Sequence, residues 1–93
     1  MFRIRWEQAA LNELAALWMN ASPAMRQLIT AASYDIDLRL KADPSAESHP
    51  GRDGWRVRFV IPLGCTFRME PDGVTVSVLH VWLVLPQNGN VTV

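Results

Sequence analysis

The residues in this 93-residue chain best suited to chemistry are three arginines and a histidine near its C-terminal end: Arg56, Arg58, Arg68 and His80. Each guanidinium presents a planar fork of donors that fits a phosphate or carboxylate, and an imidazole is the side chain best placed to move a proton near neutral pH. Arg56 and Arg58 alternate with Trp55, Val57, Phe59 and Ile61, and Arg68 lies between Phe67 and Met69. That period of two is a strand signature. If Pro62-Leu63-Gly64 forms a three-residue hairpin loop, Ile61 faces Cys65, Phe59 faces Phe67 and Arg58 faces Arg68. The arginines then gather on one face and the apolar residues on the other. A two-residue loop would set Arg58 against Phe67 and mix the faces, so the alternation favours the longer loop. Like charges directly opposed are unfavourable unless solvated or covered by an anion. The face therefore reads either as an ordinary solvated surface relieved by Thr66 and Glu70, or as a phosphate-binding one.

His80 falls on the arginine face if Pro71-Asp72-Gly73 is a three-residue loop, and on the core face if the turn is one residue longer. The run from Val74 to Leu85 is apolar on both alternations and does not decide between them. Glu47 and His49 place a carboxylate and an imidazole in the preceding loop. Cys65 is the one cysteine, so it has no internal disulfide partner, and no cysteine and histidine spacing suggests a zinc site. It reads as a small core residue, and neither a metal nor a cofactor is expected.

The elements that must position these groups follow from periodicity. Phe2, Ile4 and Trp6 alternate with Arg3 and Arg5 as a short strand. Leu11, Leu14 and Trp18, widened by Ala10, Ala15 and Leu17, make residues 7–19 an amphipathic helix. Ser22-Pro23 starts a second, because a serine hydroxyl can accept from free first-turn amides while proline suits the first helical position. Met25, Leu28, Ile29, Ala32, Ile36 and Leu40 are its apolar stripe, and Asp43-Pro44 ends it. The short connection makes the helices antiparallel neighbours. Residues 45–54 read as a surface loop, followed by three strands. The expectation is an α+β domain of order β-α-α-β-β-β over residues 1–85, with a helical hairpin on one face of an antiparallel sheet and a short tail at 86–93.

Composition narrows the class. Forty-nine per cent of residues are hydrophobic and 19% charged, which fits a globular domain. Nine basic and nine acidic residues cancel, so nucleic-acid binding would have to come from local arrangement. The longest apolar stretch, Val78 to Pro86, contains a histidine and is far shorter than the roughly 20 residues of a membrane helix. Arg3 and Arg5 interrupt the opening segment, which lacks a signal-peptide core. A cytoplasmic protein without membrane attachment is expected. Trp6, Trp18 and Trp55 lie on predicted core stripes. Trp82, with Leu83 and Leu85 on the apolar last strand, reads as a surface for a partner protein or a second copy, since an uncovered edge of this kind is a pairing hazard.

In order and spacing, several segments resemble the RelE/ParE toxin superfamily. They are Phe2-Arg3-Ile4-Arg5-Trp6, Ala9-Ala10-Leu11-Asn12-Glu13-Leu14, Leu40 with Asp43-Pro44, Glu47-Ser48, Trp55-Arg56-Val57-Arg58-Phe59, Phe67-Arg68-Met69 and Val76-Ser77-Val78-Leu79-His80-Val81-Trp82. The resemblance spans Met1 to about Trp82. It implies a bacterial type II toxin neutralised by a cognate antitoxin. RelE-like members cut messenger RNA on the ribosome, and ParE-like members inhibit DNA gyrase. In the nuclease branch basic residues on the sheet steady the scissile phosphate while a 2′-hydroxyl attacks, and Arg56, Arg58 and Arg68 match positions of that kind. The match departs after the last strand, where many members carry basic, histidine or tyrosine residues and this chain has Leu83-Val84-Leu85-Pro86-Gln87. It departs again within Leu63-Gly64-Cys65, where RelE-like nucleases often place an arginine. Arg56, Arg58, Arg68 and His80 are then the catalytic candidates. A non-catalytic inhibitor that only binds a partner is the competing reading.

Overall fold

The structure, a computed structural model, describes residues 1–84. Five strands and two helices follow one another as β1 (Arg3–Trp6), α1 (Gln8–Met19), α2 (Pro23–Ala42), β2 (His49–Pro50), a single 3-10 turn (Arg52–Gly54), β3 (Arg56–Val60), β4 (Leu63–Met69) and β5 (Thr75–Leu83). The helical hairpin packs on one face of a five-stranded sheet of order β1-β5-β4-β3-β2. This is the expected α+β arrangement, except that the sheet is mixed: β1 runs parallel to β5, and the other neighbours are antiparallel. The long path through both helices makes a parallel return possible, since parallel neighbours need a crossover and cannot share a tight turn. The loop expected at 45–54 contributes the edge strand β2, which pairs His49 with Val57 and Pro50 with Arg56.

Local chemistry explains the hairpin of helices. Ser22 Oγ accepts from the Met25 amide at 3.2 Å, and Pro23 opens α2. Arg26 donates from Nε to the Trp18 carbonyl at 2.9 Å and from Nη2 to the Met19 carbonyl at 3.0 Å, so a cation closes the exposed carbonyl end of α1. Its guanidinium carbon sits 4.5 Å from the centre of the Trp18 ring. Trp18 and Leu11 are accordingly about two-fifths exposed, and the inward row of α1 is Ala10, Leu14 and Leu17. The sequence stripe was broad enough to fit either rotation. From α2 the buried row is Ile29, Ala32, Ile36 and Leu40; Met25 packs on it half-buried, whereas Leu28, expected on the same stripe, is 54% exposed because it lies one position off the inward row.

These residues meet Val60, Leu63, Cys65, Phe67, Val76, Val78 and Val81 of the sheet. Each large side chain so buried contributes about 1.5–3 kcal/mol relative to exposure. Trp6, at the end of β1, is half-buried and donates from Nε1 to Asp37 Oδ1 at 3.3 Å.

Two registers in the sheet decide where the polar side chains go. The β3–β4 connection is the pair Ile61-Pro62, because Val60 faces Leu63, Phe59 faces Gly64, Arg58 faces Cys65 and Arg56 faces Phe67. The three-residue loop expected from Pro62-Leu63-Gly64 is therefore overturned. Gly64 is not a turn residue: it lies within β4, and a Cβ there would stand 2.6 Å from the Trp82 indole. Close approach of a ring to the backbone requires this glycine. Leu63 beside it is fully buried and belongs to the core.

The second register concerns β5. Glu70 donates its amide to the Thr75 carbonyl at 2.8 Å, which leaves a four-residue connection, 71–74. By itself this would turn His80 inward. But Thr66 faces His80 while Phe67 faces Val78, so Leu79 is a β-bulge. The bulge shifts the phase back. Val76 and Val78 point inward before it, and Val81 and Leu83 after it. That is why the run is apolar on both alternations.

Candidate functional site

The sheet register separates the four catalytic candidates into two pairs. Arg56 and Arg58 share the helix-side face with Val60, Cys65 and Phe67, whereas Arg68 and His80 lie on the open face with Thr66 and Trp82. The single arginine face expected from sequence does not exist, and the Arg58–Arg68 pairing is replaced by Arg58 beside Cys65. Trp55, Val57 and Phe59, expected in the core, occupy the open face instead.

The helix-side arginines hold the segment between α2 and β2. Arg56 donates from Nε to Ser48 Oγ at 2.6 Å and from Nη2 to the Ser48 carbonyl at 3.3 Å. Ser48 in turn donates to the Ser45 carbonyl, and Ser45 donates its hydroxyl and amide to Asp43 Oδ1. The Ser45 hydroxyl above all, then its amide, holds the Asp43 carboxyl below its ordinary range. Arg58 is 4% exposed. Its Nη2 lies 3.6 Å from Glu47 Oε1, an oxygen that Arg39 Nη1 approaches to 3.7 Å. Glu47 takes a left-handed backbone conformation at φ 54° to reach them. A side chain sealed in this way presents nothing to a large substrate.

On the open face, Arg68 donates from Nε to Glu70 Oε2 at 3.0 Å. The same oxygen accepts from Ser77 Oγ at 2.5 Å and from Arg5 Nη2 at 3.4 Å. The Ser77 hydroxyl first, then Arg68, holds the Glu70 carboxyl below its ordinary range. Arg68 is thus fixed through one edge of its guanidinium, and its side chain stays 42% exposed. A guanidinium oriented by a carboxylate is well placed to clamp a phosphate with its outer donors.

His80 is held from α1. Glu13 Oε2 lies 3.1 Å from His80 Nδ1, and Glu13 Oε1 accepts the Val81 amide at 3.0 Å. Trp55 lies across the imidazole at 6.3 Å between ring centres. Beyond His80, Trp82 lies over Gly64, and Phe59 meets it edge-on at 6.2 Å. His49 follows at 6.1 Å from Phe59. His49 and Glu47 do not act together: one joins this aromatic row, the other turns to Arg58 and Arg39.

The partner-surface residues also divide. Trp82 is half-buried on the open face, while Leu83 packs on the helix side in a groove with Leu17, Ala21 and Met25. Leu85 and the tail at 86–93 lie outside the described residues. β5 is not an edge strand, for β1 covers it through Val78 and Glu13 of α1 takes up the next free amide.

Sequence reasoning missed Glu13, 67 residues from its histidine. The available signal was a lone carboxylate on the row Ala10, Glu13, Leu17. It used Glu70 only to relieve charge, and overlooked Arg5. Among the described residues no group of three histidine, cysteine or acidic side chains could hold a metal ion, and no helix is long and apolar enough to cross a membrane.

The chain has the fold of RelE/ParE-type toxins. Over 88% of its length it superposes on 96% of a chain of the RelBE2 toxin–antitoxin complex from Mycobacterium tuberculosis, with a TM-score of 0.68 at 19% identity. A chain of the chromosomal ParDE system of P. aeruginosa gives a TM-score of 0.63 at 19% identity, covering 91% of this chain and 98% of that one. The YoeB/ParE toxin from Agrobacterium tumefaciens gives 0.64 at 14% identity, covering 90% and 100%. No family model matches the sequence, and no curated protein does.

Proposed function

We propose that this chain is the toxin of a toxin–antitoxin pair and that it inhibits translation by cutting ribosome-bound messenger RNA on the open face of its sheet. The observation that carries this reading is the placement of Arg68 and His80 on one solvent-facing surface, in a fold shared with both RelE-type and ParE-type chains. A strand of RNA laid there would meet donors for its phosphate from Arg68 and an imidazole for its 2′-hydroxyl. As that oxygen attacks the adjacent phosphorus, its proton passes to His80. The guanidinium neutralises the non-bridging oxygens, and the bond from phosphorus to the 5′-oxygen breaks as that oxygen takes a proton from water, giving a 2′,3′-cyclic phosphate and a 5′-hydroxyl. Phe59 and Trp82 offer flat apolar surface beside this centre. A cognate antitoxin would cover the same face.

Induced expression without the antitoxin, with cleavage sites mapped on ribosome-bound messages, tests the reading. Growth arrest with discrete cuts, both lost in Arg68→Ala, is expected. An unaltered transcript pattern in arrested cells would favour a second reading, a ParE-like inhibitor that binds DNA gyrase or another partner without catalysis. One observation supports that alternative: Arg56 and Arg58 are turned to the helix side, so the open face carries few cations and many rings.

A further inference from the structure

We infer that Glu13 is a positioning residue for His80, fixing its tautomer so that Nε2 is the unprotonated atom presented on the open face. The inference deepens the nuclease reading and rests on it for its catalytic consequence.

β1 pairs with β5 only as far as Val78, so among the described residues no strand accepts from the Val81 amide. Glu13, on the β5-facing side of α1, takes that amide on Oε1 at 3.0 Å. The backbone bond anchors the carboxylate beside β5, and its second oxygen, Oε2, lies 3.1 Å from His80 Nδ1. A carboxylate only accepts, so Nδ1 must carry the hydrogen and Nε2 of the neutral ring must be the free base. The Trp55 ring stands beside the imidazole, 6.3 Å from it between ring centres.

The groups facing the ring from neighbouring strands are consistent with this role. Thr66 is its partner on β4, and Arg68 lies two positions farther along the same face. A proton acceptor and a phosphate clamp are therefore neighbours. The carboxylate behind the ring also compensates the positive charge that develops when Nε2 takes a proton. The Leu79 bulge is essential to the arrangement, since without it His80 would turn into the core.

Glu13→Gln separates positioning from mere packing. The amide oxygen of glutamine can still accept from Val81, so the fold should hold. Its NH2 group then faces Nδ1 as a donor, which inverts the tautomer and places the hydrogen on Nε2. Imidazole nitrogen NMR, at a pH where the ring is neutral, should find Nδ1–H in the wild type and Nε2–H in Glu13→Gln. In the ribosome-dependent cleavage assay kcat should fall about 100-fold or more with KM within about twofold, and the double variant with His80→Ala should be no slower than His80→Ala alone.

Nε2–H in the wild type, a tautomer indifferent to Glu13→Gln, or unchanged kcat in that variant would overturn the inference. A wild type that cuts no RNA, yet whose tautomer inverts in Glu13→Gln, would end the nuclease reading while supporting the control of His80 by Glu13.

Discussion

Arg58 and Arg68 belong to the same hairpin and point to opposite sides of the sheet. Arg58 faces Cys65 beneath the helices, whereas Arg68 faces Ser77 on the open side, tied to Glu70. The chemistry open to each follows from that difference. One guanidinium is sealed against a loop carboxylate, and the other keeps its outer donors in solvent.

Arg58→Met should therefore leave activity intact. Glu47 approaches the buried cation to 3.6 Å, and that carboxylate is itself well exposed. Replacing a buried ion by an apolar side chain of similar volume is often neutral or stabilising by about 1–4 kcal/mol. Urea unfolding should show an equal or higher midpoint, and message cleavage should match the wild type. Arg68→Ala, by contrast, should lower cleavage at least about tenfold. The reverse pattern would return Arg58 to the catalytic group.

Gly64→Ala tests the contact that fixes the hairpin register. A methyl group at this position would stand 2.6 Å from the Trp82 ring. The indole must swing away and give up its edge-on contact with Phe59, at a cost of about 1–3 kcal/mol. In Trp82→Ala the obstacle is gone, so adding Gly64→Ala there should cost much less. A double-mutant cycle by chemical unfolding measures the difference. Equal penalties in both backgrounds would mean that Trp82 does not rest on Gly64.

The parts of this fold that were legible in the sequence are those specified locally. The Ser22-Pro23 start of α2, its row Ile29, Ala32, Ile36 and Leu40, and the alternation of β1 all depend on residues a few positions apart. What failed depended on phase. Gly64 has the composition of a turn but serves a close ring contact, and misreading it carried Arg56 and Arg58 to the wrong face. In β5 two shifts of one residue, the longer turn at 71–74 and the Leu79 bulge, cancel, so His80 emerges on the open face by a route that periodicity does not encode. Glu13 was hidden because its partner is remote in the chain.

Asp72 should govern part of the acid sensitivity. Its Oδ1 accepts the amides of Val74 and Thr75 at 2.9 and 2.8 Å, and Oδ2 accepts the Thr75 hydroxyl at 2.7 Å. The Thr75 hydroxyl above all, then the Val74 amide, holds its carboxyl below the ordinary range. The ionised form is thus favoured by folding. Its contribution is present above the unfolded-chain value of about 3.9 and disappears as pH falls through the lower folded value. Asp72→Ala should unfold at lower temperature near neutrality and show a shallower loss of stability on acidification. An acid limb identical to that of the wild type would show that the turn does not depend on this charge.

Cys65 gives the complementary test on the alkaline side. It is fully buried between Arg58 and Val81, and burial pushes its thiol up to about 11. The thiolate is the reactive form, so alkylation by iodoacetamide at pH 8 should be very slow in the native protein and rapid in urea. Because the folded value lies above the unfolded one, the neutral thiol adds stability below the ordinary cysteine range. That contribution is lost as pH rises through about 11. Cys65→Ala removes the titrating group and should flatten the alkaline limb, though the smaller side chain lowers stability at every pH. Rapid labelling of the native wild type, at a rate independent of urea, would place the thiol at the surface and contradict the register that puts Arg58 beside it.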